Sequence, residues 1–117
     1  MVVRVLREHT GRGPTRSRAH LTDDLIVVVV WDTLTQAEHT LVASGLDDLV
    51  LRTRKALQNS MRADLVAGVQ ALSGREVIAI FTDSAIVPDA ALIAFALAPL
   101  DESAGNDRRR AGSDADS

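Results

Sequence analysis

Apolar and polar positions change rhythm several times along this chain, and each rhythm predicts an element. Val2, Val5, Leu6 and His9 recur at helical spacing, which predicts a short N-terminal helix over 2–9. A helix this short is marginal alone and must dock on the rest of the fold. Gly11, Gly13 and Pro14 interrupt it. From Thr15 to Leu21 the pattern alternates: Arg16, Arg18 and His20 share one face of a strand, and Thr15, Ser17, Ala19 and Leu21 share the other. Thr22, Asp23 and Asp24 form a polar hairpin turn. Leu25 to Trp31 is apolar at every position and mostly β-branched, the pattern of a central strand buried on both faces.

Thr35-Gln36-Ala37-Glu38 has the form of a capping box, opening a helix that runs to about Ser44 and stops at Gly45. Leu46, Leu49, Val50, Leu57, Met61, Leu65, Val66, Val69 and Leu72 then make one apolar stripe, with Asp47 and Asp48 in the first turn and Gly74 as the stop. A helix of about 27 residues is about 40 Å long. That exceeds the width of so small a domain and predicts a kink near Asn59–Arg62. Gly68, beside the stripe, predicts close approach to the sheet. Arg75–Thr82 reads as a third strand, Ser84–Asp89 as a loop holding Pro88, and Ala90–Ala98 as a fourth strand whose alanines imply tight packing on a helix. Pro99 closes it.

Four strands in two hairpins, with a long helix between them and a short helix before them, predict an α+β domain over 1–99. Its four-stranded antiparallel sheet is covered on one face. The second and third strands are apolar on both faces, so the other face calls for the N-terminal helix or a partner subunit; a homodimer is the expectation. Residues 100–117, poor in apolar side chains, are expected to form a disordered tail.

Composition narrows the chemistry. The 117 residues are 46% hydrophobic, enough for a real core, yet Trp31, Phe81 and Phe95 are the only aromatics. The core is therefore aliphatic, and a base-stacking surface for single strands is not expected. With no cysteine, disulfides, thiolate metal sites and cysteine nucleophiles are excluded. Net charge is −3, and five acidic side chains against three arginines after Leu100 leave the rest close to neutral. That is no basic field for sequence-blind nucleic-acid binding. The apolar runs fall far short of the roughly 20 residues a bilayer span needs, and the first residues lack an apolar leader pattern. No transmembrane segment is expected.

One stretch carries candidate chemistry. Gly11-Arg12-Gly13-Pro14-Thr15 has the makings of a backbone anion nest, with Arg12, Arg16 and Arg18 adding charge. Arg12, Gly13, Thr15, Arg16 and Arg18 are thus the candidate anion- or partner-binding residues. It is not a P-loop, since no GK[ST] follows at the required spacing. The plainer reading is a structural turn followed by a solvated strand face. His9, His20 and His39 show no ligand spacing. Asp23 with Asp24, and Asp83 with Asp89, are explained by turn chemistry and strand-end capping. Ser44-Gly45 lacks the nucleophile-elbow pattern, and Arg108–Arg110 sit among acids as solvated tail. No catalytic residue, metal site or cofactor is expected.

The runs GRGPTRSRAHLTDDLIVVVVWDTLTQAEHTLVASG and LVLRTRKALQNSMRADLVAGVQALSGREVIAIFTD resemble the bacterial MpsC family, the small soluble component of the sodium-translocating membrane-potential-generating system. The landmarks are the glycine–basic–glycine–proline–threonine turn at Gly11–Thr15 and the valine-rich strand at Leu25–Val30. The helix start at Leu34–Gly45, the helix-to-strand junction at Leu72–Val77 and the closing Asp83 complete them, over roughly residues 2 to 98. In that family the helix before the glycine turn is usually longer. The resemblance implies a cytoplasmic accessory protein, peripheral to the inner face of the membrane, beside membrane subunits that handle ions; it supplies no catalytic residues. The expected function is therefore that of a non-catalytic interaction protein of a membrane ion-translocating system. The alternative is a small nucleic-acid or phosphate-ligand binding module using the Arg12–Arg18 face.

Overall fold

The computed structural model describes residues 1–99; the segment read as a disordered tail lies outside the described residues. Element order is α1 (Val2–Thr10), β1 (Arg16–Leu21), β2 (Leu25–Trp31), α2 (Gln36–Ala43), α3 (Asp47–Ser73), β3 (Val77–Ala85) and β4 (Ala90–Leu97). The α+β expectation holds. Two antiparallel hairpins join through β2 and β4 into one sheet of order β1-β2-β4-β3. Each strand begins or ends where the sequence places a turn, except that β3 continues through Asp83 to Ala85. The loop read from Ser84 therefore shrinks to the few residues around Pro88.

α1 and α3 lie on one side of this sheet, and α2 packs on α3. Val28, Val30, Ile80, Ala91, Ile93, Phe95 and Leu97 turn inward to meet Met61, Leu65 and Val69 of α3 and Val2, Val5 and Leu6 of α1. Alternation sends the other residues of β2, namely Leu25, Val27, Val29 and Trp31, to the opposite face, where they stay half-buried or exposed. Burial of β2 on both faces is thus not what the protomer achieves. The N-terminal helix covers the same face as α3, leaving the second face open among the described residues. The alanines of β4 are likewise reassigned: Ala91 points into the core, while Ala90, Ala94 and Ala96 lie on the open face.

The long helix is one uninterrupted element of 27 residues, with no break at Asn59–Arg62. Its length is used by its neighbours. Near its start, Arg54 bonds to Glu38 of α2; further along, Asp64 accepts a 2.9 Å hydrogen bond from His9 of α1. Gly68 admits α1 and not the sheet. A Cβ there would stand 2.6 Å from the Met1 side chain, closer than atoms can pack. At the far end, Arg75 donates to the Asp23 and Ala98 carbonyls and pairs with Asp24, clasping the β1–β2 turn to the end of β4.

Leu65 is fully buried between α3 and the sheet, whereas Leu72 of the same helix is largely exposed. Leu65→Ala is expected to lower the unfolding free energy by about 2–5 kcal/mol through lost burial and a residual cavity. Leu72→Ala should change it by less than about 0.5 kcal/mol. Urea denaturation followed by circular dichroism measures both.

Candidate partner-binding site

The basic glycine turn sits at one end of the sheet, and its groups are tied inward. Gly11 ends α1 in the left-handed conformation (φ 78°), with its N–H on the Arg7 carbonyl. Gly13 lies directly under the Arg7 side chain: a Cβ would come within 2.7 Å of a guanidinium nitrogen, so a larger residue would make that flexible arginine shift. Arg12 donates through Nε to the Asp32 carbonyl at 2.9 Å. The Thr15 hydroxyl donates to the Asp32 carboxylate, and the Thr15 N–H to the Trp31 carbonyl. Of the five residues read as an anion or partner site, Arg12, Gly13 and Thr15 therefore also build the turn itself.

The other two lie on β1, an edge strand exposed at every residue. Arg16 stacks its guanidinium 4.1 Å above the Trp31 ring, a cation–π contact between paired residues of β1 and β2. Arg18 stands opposite Val29 and makes no ion pair among the described residues. The turn, Arg16 and Arg18 thus form a ribbon of positive charge from the sheet's end onto its open face. The histidines are dispersed: His9 meets Asp64, His39 lies 4.0 Å from Asp89, and His20 is on the open face of β1.

Beneath the turn runs a polar network that sequence reasoning saw only in fragments. Asp32, itself at positive φ, donates its N–H to the Asp89 carbonyl. The Asp89 carboxylate accepts from the Thr33 and Leu34 N–H groups at 3.0 and 3.1 Å, capping the loop before α2 as turn chemistry suggested. The Thr35–Glu38 capping box forms as read, with Glu38 Oε1 accepting from the Thr35 N–H at 2.8 Å. The same oxygen lies 2.5 Å from Arg54 Nη2, which also donates to the Thr33 carbonyl. Arg54 is 3% exposed and Glu38 5%. One turn further, Gln58 donates to the Ser84 hydroxyl at 2.7 Å, bracing α3 against β3.

Arg54 and Gln58 were absent from the sequence-derived stripe. The available signal was their spacing: Val50, Arg54, Gln58 and Met61 follow at four-, four- and three-residue steps, so the polar pair lies on the buried face itself. Elsewhere, a concavity of about 370 Å³ opens between the start of α1, the end of α3 and the β1–β2 hairpin. Its lining, which includes Met1, Val2, Ala19, Leu21 and Leu72, is mostly apolar, with Ser17 and Ser73 the polar members, and carries no titratable side chain.

The family described as Na+-translocating membrane potential-generating system (MpsC) matches the chain over residues 1–99. Comparison with curated proteins and with solved structures returns no match.

Removing one member of a buried ion pair strands the other's charge, and the network makes that measurable. Arg54→Met should destabilise the domain by about 3–5 kcal/mol. Adding Glu38→Gln to that variant keeps the capping acceptor while removing the stranded charge, and should recover part of the loss. A double-mutant cycle by urea denaturation tests this: strictly additive losses would contradict the pairing.

Proposed function

We propose, since the chain belongs to the MpsC family, that it is a non-catalytic accessory protein of a membrane ion-translocating system. The match across residues 1–99, the whole described domain, carries this reading. The family's description concerns sodium translocation and generation of a membrane potential. No helix among the described residues is long and apolar enough to cross a membrane. In this proposal the domain works from the cytoplasm, at the inner face of the membrane, and engages subunits that do the crossing.

Supporting the non-catalytic part, several of the titratable groups are held in structural contacts. Asp89 caps the loop before α2, Asp24 pairs with Arg75, His9 with Asp64, and Glu38 with Arg54. The proposed contact with membrane subunits is the basic ribbon, Arg12, Gly13, Thr15, Arg16 and Arg18. Its centre is the turn, where Arg7 and Arg12 add charge to a backbone fixed by Asp32. A carboxylate-bearing cytoplasmic loop has the complementary chemistry.

A tagged pull-down from detergent-solubilised cells, with and without nuclease, tests this. Polytopic membrane subunits should co-purify whether or not nuclease is added, and recovery should drop several-fold for Arg12→Ala combined with Arg16→Ala. A nuclease-sensitive yield of nucleic acid, without membrane protein, would overturn the proposal in favour of a nucleic-acid module.

A further inference from the structure

The open face of the sheet does not look like a face built for water. A solvated antiparallel sheet alternates apolar-in with polar-out. Here the outward residues of the two central strands are Leu25, Val27, Val29 and Trp31 on β2, and Ala90, Leu92, Ala94 and Ala96 on β4. Leu92 is 40% exposed, and Phe81, outward on β3, is 59% exposed. Contiguous apolar surface of this kind marks an interface.

Two regularities identify the occupant. The first is size. Across the β2–β4 register the outward pairs are Leu25 with Ala96, Val27 with Ala94, Val29 with Leu92, and Trp31 with Ala90. One central strand is large and the other, apart from Leu92, small. The second is charge. The edge strands differ: β1 carries Arg16, Arg18 and His20 outward, and β3 carries Asp83. Arg18, Val29, Leu92 and Asp83 stand opposite one another in a single row across all four strands.

We infer that this face packs against the same face of a second copy of the chain, about a twofold axis running along the strands between β2 and β4. Such an axis reverses each row. β2 then lies over the partner's β4, setting Trp31 on the partner's Ala90 and Val27 on the partner's Ala94. Large side chains meet small ones, which suits the roughly 10 Å separation and near-aligned strands of packed sheets. The same operation sets Arg18 over the partner's Asp83, and Asp83 over the partner's Arg18. A twofold axis across the strands would stack β1 on β1 and bring like charges together, so the charge pattern selects between the two arrangements. Isologous pairing of this kind is the commonest form of homo-oligomer. Arg16 and Arg18 lie on the paired face, whereas Arg12, Gly13 and Thr15 stay outside the interface at the end of the sheet, and in the dimer they carry the contact with membrane subunits.

Sedimentation velocity of the purified full chain decides the matter, separately from any membrane partner. The parent chain should sediment as a dimer at tens of micromolar. Asp83→Arg or Arg18→Glu alone should weaken dimerisation by about tenfold or more, since each turns two attractive contacts into repulsive ones. Combining the two reversals should restore it. Leu92→Asp, which places a carboxylate at the interface centre, should give a monomer. If that variant fails to fold by circular dichroism, the two charge reversals, at exposed positions, still discriminate. A parent chain that is monomeric at 100 µM would overturn the inference. So would a dimer indifferent to both reversals, or a monomer that floats with anionic phospholipid vesicles.

Discussion

Glu38 and Arg54 meet where water is excluded, and the arrangement of the sheet's polar end depends on that meeting. A buried ion pair is an uneasy source of stability, because both ions surrender hydration and recover it only through good geometry. Here the recovery is partial: Glu38 Oε2 and Arg54 Nε find no hydrogen-bond partner in the described structure. What the pair contributes is placement. Glu38 opens α2, Arg54 lies in the first half of α3, and both reach residues of the short loop that follows β2. That loop is also gripped by Asp89 from the turn before β4. Asp32 at its head carries the constraint to Arg12 and Thr15. A basic turn that would otherwise be a loose connection is thus positioned by a charge pair buried in the helical layer.

The second constraint is one-sidedness. With α1 and α3 on one face and α2 packed on α3, no element within 1–99 covers the other. The aliphatic core lies between sheet and helices, anchored by Phe95, Met61, Leu65 and Ile93. Across the sheet the same backbone presents a second apolar surface that no contact among the described residues uses. Stability and association are therefore separable in this fold: inward residues govern the first, outward residues the second.

Much of the architecture was legible in the sequence because local signals sufficed. The Thr35–Glu38 box, the glycine stops at Gly45 and Gly74, and the alternation in Thr15–Leu21 each act within a few residues. Errors arose where a residue's role depends on a distant neighbour. The apolar character of Val27 and Val29 says that they shun water, not which molecule covers them. The kink expected in α3 came from its length against the width of so small a domain, but α2 and α1 engage its two halves. Asp89 lies far from Thr33 in sequence, so its capping role could be guessed but not its target. Of the candidate site, the turn and its arginines were visible; the network fixing them was not, apart from a polar interruption at Arg54 in an apolar stripe.

The neighbour that β2 acquires on its second side has a consequence for how the protein is made. β2 pairs with β1 at once, through the Thr22–Asp24 turn, but its other edge is filled by β4, whose residues are the last of the domain to be synthesised. At roughly 5–20 residues per second, the valine-rich edge from Leu25 to Trp31 waits several seconds before Ala90–Leu97 leaves the ribosome. Throughout that interval the nascent chain holds a bare, strongly β-forming edge with apolar side chains on both faces, the feature by which strands recruit the wrong partners. α2 and α3 emerge in between, so one face can find shelter early. The other face has no partner among the described elements, and the edge of β2 that β4 fills stays bare until β4 emerges.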